Sequence, residues 1–242
     1  MYYLLRNKIT LVLFFLLSLP FASSAQELQL NLLEHDDKPF HFGINVGANR
    51  SHYNFTHHSL FLQQDSIMGI ESINSTGINL SWLVNLRLNQ HFSLRTYPLS
   101  LVFTEKAFQY SLSKPNPVYG EDSSMIKKIQ GITLAFPVQI KFTSDRIANL
   151  KVYMMAGGKI EYDLAANKAK KNAEQQIKLN SFDYGLEAGI GFHIYFPVFV
   201  LSPELKIGYG LNNLHRRDAE LKYSNVVDKI NSRTITLSLT VE

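Results

Sequence analysis

The sequence predicts an all-β fold: an eight-stranded antiparallel up-and-down transmembrane β-barrel with short periplasmic turns and long external loops. Three observations carry that expectation. Asp183 to Ile194 reads DYGLEAGIGFHI, in which Tyr184, Leu186, Ala188, Ile190, Phe192 and Ile194 alternate with Gly185, Glu187, Gly189, Gly191 and His193. Seven other segments resemble it, giving an even number. The connections between them alternate strictly between long and short. A strand sends successive side chains to opposite faces, so one face here is apolar and the other is glycine plus charge. A tilted strand of about 9–11 residues crosses a bilayer, and small or charged inward residues suit a narrow lumen.

Residues 1–25 read as a cleaved secretion signal, with an anchoring transmembrane helix as the competing account. Arg6 and Lys8 give a basic start, Ile9 to Leu19 is an apolar core, and Ser23-Ser24-Ala25 is a small-residue cleavage site. Residues 26–38 form an N-terminal periplasmic segment, and residues 39–242 form the barrel domain. Removing 25 of 242 residues leaves 217, a routine size for one β-barrel.

The strands follow in order. Phe40, Phe42, Ile44, Val46 and Ala48 form the first apolar face. Ile78, Leu80, Trp82, Val84, Leu86 and Leu88 form the second, with Leu83 as an exception. Phe92 to Leu112 is irregular: Phe92 and Leu94 share one parity, Leu99, Leu101 and Phe103 the other, and Phe108, Tyr110 and Leu112 return to the first. Two phase slips imply two bulges, and Pro98, which lacks a ladder donor, sits at the first. Ile132 to Ile140, Leu150 to Leu164, the opening segment, Leu205 to Leu211 and Ile235 to Val241 complete the set. Long connections fall at 50–76, 113–127, 165–181 and 213–232, and short ones at Asn89-Gln90, Thr143 to Asn149 and Phe196-Pro197. Outer-membrane barrels place short turns at the periplasmic end and long loops outside, whereas a secreted lipocalin or sandwich has no reason to do so. Tyr195, Phe196, Phe199, Phe92 and Tyr97 lie near short turns and suit an interfacial girdle, with turn packing as the competing account.

Composition excludes several classes. The chain has no Cys, so it has no disulfide, thiolate metal site or lipidated cysteine. Without the signal it carries 22 basic and 20 acidic residues, a charge of +2, too near neutral to argue for nucleic acid. No later segment reaches 18 apolar residues, so crossing must rely on strands.

Inward parity collects Arg87, Arg95, Lys141, Lys151, Lys159 and Lys206 as bases, and Glu161, Asp163, Glu187 and Glu204 as acids. An eight-stranded barrel has room for side chains and little else. Buried charges must pair. The expectation is an ion-pair network that plugs the lumen; a substrate or proton path is the alternative. His35-Asp36-Asp37 resembles an acid/base cluster but lies among polar residues before the first strand, and reads as solvated. His52, His57 and His58 lie in the first long connection and could bind a metal, although nothing fixes their geometry and a plain loop competes. Lys168 to Lys178 is a basic loop tip, solvated or a site for anionic lipopolysaccharide. No nucleophile and base stand at telling spacing, and no phosphate loop, zinc motif or nucleic-acid signature appears. The expectations are no catalytic residue, no metal, no cofactor and no nucleic-acid partner.

The chain resembles the PorT family of Bacteroidetes outer-membrane barrels from about Lys38 to its end. The stretches are Lys38-Pro39-Phe40-His41-Phe42-Gly43; Leu86-Arg87-Leu88 with Leu94-Arg95; Phe136-Pro137 with Lys141-Phe142, Asp145-Arg146 and Asn149; Tyr162 to Lys168; Asp183 to Gly191; Tyr195-Phe196-Pro197; Pro203-Glu204-Leu205-Lys206; and Gly210-Leu211-Asn212-Asn213. Tyr97-Pro98-Leu99-Ser100, Ile147-Ala148 and Glu242 differ from the pattern. The resemblance implies a non-enzymatic accessory of type IX secretion, needed for export of cargo with C-terminal signals and, in some relatives, for gliding. The implied partners are outer-membrane lipid, lipopolysaccharide and other secretion components. A barrel enzyme acting on lipid A or peptides, and an OmpX-like adhesion or membrane-stabilising barrel, are the competing readings.

Overall fold

The computed structural model describes residues 29–57, 67–113, 122–164, 180–215 and 227–242. The expected signal, the Lys168–Lys178 tip and His58 lie outside them. A 3-10 turn, Leu33–Asp37, precedes β1 (Phe40–His57), β2 (Ile67–Ile73), β3 (Ser75–Arg87), β4 (Phe92–Leu112), β5 (Ser124–Thr143), β6 (Leu150–Asp163), β7 (Phe182–Tyr195), β8 (Val200–Gly210) and β9 (Val227–Val241). All pairings are antiparallel. The order β4-β3-β1-β9-β8-β7-β6-β5 closes back onto β4. Eight staves therefore make the barrel, as the alternation predicts.

β2 is an addition. It continues the line of β3 along β4, since Ile73 pairs with Ala107 and Ile78 with Phe103, with Asn74 at the break. The long connections of the sequence reading are thus partly strand: β1 reaches His57, β4 runs for 21 residues, and β9 begins at Val227.

The sheet is inside-out relative to a water-soluble barrel. On β9, Leu237 is 62% exposed while the adjacent Ser238 is 1% exposed. On β1 the outward residues are Phe40, Phe42, Ile44, Val46 and Ala48, and the run ends at exposed Arg50; on β9 it ends at Arg233. Nine residues at about 3.4 Å each, tilted roughly 40°, span about 20–25 Å, the height of the apolar band of such barrels. Among the described residues no helix is long and apolar enough to cross a membrane.

The expected bulge at Pro98 is present. Trp82 pairs with Leu99 and Val84 with Thr96, so Leu83 faces both Tyr97 and Pro98. The extra residue flips the parity: Arg95 and Tyr97 point inward before it, Ser100 after it. Leu83, the exception on its strand, is inward and fully buried opposite the bulge.

The second expected slip is not a bulge. β4 and β5 pair without a shift from Leu101–Leu134 to Ser111–Ser124. Phe108, Tyr110 and Leu112 lie inward like Ser100, and what changes is the polarity of the two faces. Beyond the band the outside is water, so apolar side chains turn in. Tyr53, Ile70, Phe108, Tyr110, Leu112, Leu214, Val227 and Ile230 form one buried cluster there, with Phe55 against it.

The aromatic girdle also needs correcting. Phe92, Phe196 and Phe199 face outward, with Phe196 stacked on Phe199 at 4.8 Å. Tyr97 and Tyr195 are buried in the lumen instead. A second outward belt near the other rim is made by Tyr162, Phe182, Tyr184 and Tyr209.

Candidate functional site

The ten charged residues assigned to the lumen fall into three levels. At mid-height Glu204, fully buried, gathers neighbours from across the barrel. It accepts hydrogen bonds from Arg95 (2.5 Å), Tyr153 (2.7 Å), Thr240 (3.2 Å) and Tyr97 (3.4 Å), and Lys206 lies 3.4 Å from its second oxygen. The Arg95 guanidinium also reaches Glu242 at 3.2 Å and lies 5.3 Å from the centre of the Tyr153 ring. Local sequence makes room for this. A Cβ on Gly191 would lie 2.5 Å from the Tyr153 hydroxyl and 2.8 Å from its Cε2. Only a glycine lets that ring cross to Glu204. Lys141 joins from the side: its ammonium is 3.1 Å from His193 Nε2, whose Nδ1 is 2.7 Å from Ser202 Oγ.

Toward the long connections, Lys159 pairs with Glu161 at 2.7 Å, and Gln139 donates to Glu187. Asp183 accepts from Ser232 at 2.8 Å. A Cβ on Gly208 would lie 2.9 Å from the Lys159 ammonium, so this glycine too is a seat for a neighbour's charge. Asp163 is buried on the same level. A polar cavity of ≈ 80 Å³ lies here, lined by Asn49, Ser51, Asn79, Lys159, Asp183 and Glu187 among others.

At the short-turn end the partners come from outside the barrel wall. Arg87 and Lys151 pair not with wall acids but with the N-terminal turn. Lys151 meets Asp36 at 2.8 Å, and Arg87 meets Asp37 at 3.3 Å and donates to the Asp36 carbonyl. Arg146 reaches Asp36 at 3.7 Å, donates to the Asn31 carbonyl at 2.5 Å and stacks over Tyr195 at 3.9 Å. Tyr195 donates to Asp36 at 2.6 Å. Burial alone would raise the Asp36 pKa. Hydrogen bonds from Lys151 and Tyr195, with the charges of Lys151 and Arg146, outweigh it and hold the carboxyl below its ordinary value. His35 titrates below its ordinary value because burial disfavours its charged form, against the pull of Glu242 and Asp36. The reading of His35-Asp36-Asp37 as solvated is therefore corrected for His35 and Asp36: both are tucked into the mouth, and only Asp37 is exposed.

His52 lies on β1, 3.1 Å from Asn74 Oδ1. Among the described residues, one group brings three metal-ligating types together: His35, His41 and Glu242. His193 and Ser202 form a hydrogen-bonded pair of nucleophile and base types, but Ser202 is 0% exposed, and a hydroxyl with no access attacks no substrate.

Glu242, Arg146, Tyr153, Asp183 and Gln139 were absent from the sequence-derived network. Glu242 follows inward Thr240 by two residues, so continued alternation places it. Asp183, Gln139 and Tyr153 share the inward parity of their strands. Arg146 sits in a turn, where no period applies.

The sequence profile described as "Outer membrane protein beta-barrel domain" matches residues 21–216. No curated protein sequence matches. Among solved structures the chain is similar to Neisserial surface protein A, at 13% identity and a TM-score of 0.42, over 84% of this chain and 99% of that one. It is similar also to OprG of Pseudomonas aeruginosa, at 13% identity and a TM-score of 0.43, over 83% and 94%.

Proposed function

The chain belongs to the outer membrane protein β-barrel domain family, and on that premise we propose that it serves type IX protein secretion as a non-enzymatic accessory. It resides in the outer membrane and acts through contacts with other secretion components rather than through passage of cargo. The carrying observation is the lumen. Arg95, Tyr97, Tyr153 and Glu204, each no more than 2% exposed, cross it at mid-height, and the Leu33–Asp37 turn covers one mouth. A barrel so filled works by its surfaces: the lipid-facing wall, the short turns and the long connections.

The type IX assignment is supported by the PorT-like stretches, several of which hold this interior. Pro203-Glu204-Leu205-Lys206 supplies the mid-height hub, and Asp145-Arg146 with Asn149 supplies the turn that clamps the N-terminal segment. Deleting the gene and measuring surface cargo that carries a C-terminal signal tests the proposal. Lost cargo with an otherwise intact outer membrane is the expected result, and unchanged export overturns it.

A second reading has its own support. Beyond the apolar band, β1, β2, β4 and β9 continue as a ribbon with an apolar core, an exposed platform suited to adhesion or to lipopolysaccharide. Shortening that ribbon abolishes function on this reading and leaves export intact on the first only if the contacts lie elsewhere.

A further inference from the structure

We propose that His35, His41 and Glu242 form a binding site for a divalent transition metal of the zinc class at the short-turn mouth of the barrel. The three come from separate elements: the N-terminal 3-10 turn, the start of β1, and the residue after β9. Their ligand atoms all lie within 4.8 Å of one another.

The geometry is close to what such an ion requires. His35 Nε2 and His41 Nδ1 are 3.3 Å apart. In a tetrahedral zinc site with Zn–N near 2.0–2.1 Å, two ligand nitrogens stand roughly 3.3–3.4 Å apart. The His41 tautomer is set by its other nitrogen. Nε2 lies 3.0 Å from the Lys38 carbonyl, which can only accept, so Nε2 carries the proton. Nδ1 then presents a bare lone pair to the cluster. An imidazole whose far N–H is held by a backbone carbonyl is the usual arrangement of a metal-ligating histidine. Glu242 is prepared in the same way. Arg95 holds one carboxylate oxygen at 3.2 Å, and the other faces His41 at 4.0 Å. His35 Nδ1 is buried with no hydrogen-bond partner among the described residues. Nε2 is the nitrogen that faces His41 and the cluster.

Two imidazoles and one carboxylate match the donor set of zinc sites that keep a fourth position open. A cavity of ≈ 50 Å³ adjoins the three residues and has room for a water there. Imidazole donors select zinc, copper or nickel, whereas calcium and magnesium prefer an all-oxygen shell. A bound ion links the N-terminal turn to the β1–β9 seam, where Ile44 pairs with Val241. It therefore fastens the turn that covers the mouth.

The test uses the full barrel refolded in detergent and stripped of metal with a chelator. Calorimetric titration with Zn²⁺ at pH 7.5 is expected to show one site per chain. His35→Ala and His41→Ala are each expected to weaken it at least about tenfold. Glu242→Gln is expected to weaken it as well, and His52→Ala to leave it unchanged. Co²⁺ in place of zinc is expected to give visible absorption of a four- or five-coordinate site, lost in His35→Ala. His35 stands outside every strand, so that variant tests the site in a folded barrel, checked by heat-dependent gel mobility. No stoichiometric uptake, or uptake untouched by His35→Ala and His41→Ala, overturns the proposal and reduces the pair to two imidazoles sharing one proton.

Discussion

Replacing Glu204 by Gln is the most direct probe of how the barrel holds itself closed. The change keeps the volume and removes the charge. Among the described residues it leaves Arg95, which is 0% exposed, with only Glu242 as a carboxylate partner, at 3.2 Å. Lys206 loses its contact at 3.4 Å and keeps the Tyr97 ring at 4.8 Å. Hydrogen bonds to a charged acceptor contribute about 1.5–3 kcal/mol each. Those of Arg95 and Lys206 do not simply add, because one carboxylate serves both. Removing one member of a buried pair costs about 3–5 kcal/mol. The retained Glu242 contact puts the expectation at the lower end, about 3 kcal/mol. With a urea dependence of about 1–3 kcal/mol per molar, the midpoint falls by roughly 1–3 M. The assay is urea unfolding of the barrel in lipid vesicles, with heat-dependent gel mobility reporting the folded fraction. The double change Arg95→Met with Glu204→Leu, set against its two single variants, completes the cycle and is expected to cost less than their sum, since neither Arg95 nor Glu204 is then left facing a missing partner. A single-variant shift below about 0.5 kcal/mol, or a double variant equal to the sum of its singles, refutes the view that the hub is one coupled unit.

Three further outcomes are expected. Gly191→Ala drives a methyl into the Tyr153 ring and destabilises the barrel by about 1–3 kcal/mol; Tyr153→Leu in the same chain restores part of the loss, read from the same urea midpoint. Asp36 has a folded pKa below its ordinary 3.8, so its hold on the N-terminal turn is complete above that value and is lost as pH falls through the lower folded one; a spin label attached through Glu34→Cys, exposed on that turn in a chain with no other cysteine, should gain mobility as the pH falls below about 4, and adding Asp36→Asn should remove that dependence. Ile44→Arg, in the middle of the outward band of β1, costs about 2–4 kcal/mol in vesicles, whereas Asn54→Arg, exposed beyond the band on the same strand, changes the urea midpoint little.

The strands were legible because lipid on one side and a lumen on the other impose a strict period of two. That is why Asp183 to Ile194 and Ile235 to Val241 read cleanly. β2 was not legible. Its sequence, IMGIESI, lies beyond the band, and its buried Ile70 faces inward. Phe108, Tyr110 and Leu112 misled for the same reason: a reader keyed to apolar-out takes apolar-in for a slip. Inward charges were legible by parity, but partners were not. Arg95 and Glu204 are separated by 109 positions, and their meeting depends on barrel closure and on the bulge at Tyr97-Pro98. The mouth was least legible. His35, Asp36 and Arg146 lie where no periodicity applies, and only the folded chain shows that Asp36 meets Arg146 and Lys151 and that His35 meets His41 on the wall.

The two halves of β9 show what unites these features. Ser238 and Ile230 both point into the barrel and are both buried, yet one is polar and the other apolar. Within the band, lipid outside is as apolar as any core could be. Turning a leucine inward therefore gains nothing from the hydrophobic effect. What the lumen can offer there is satisfied hydrogen bonding, because an unpaired polar group far from water is costly. Arg95, Glu204 and Lys206 meet that demand, and they give closure the register-specificity that burial cannot. Past Arg50 and Arg233 the outside becomes water, and burial again favours apolar side chains within. The same substitution, inward serine to leucine or the reverse, must then change sign with height along one strand. The position of that reversal marks the rim of the membrane from inside the lumen.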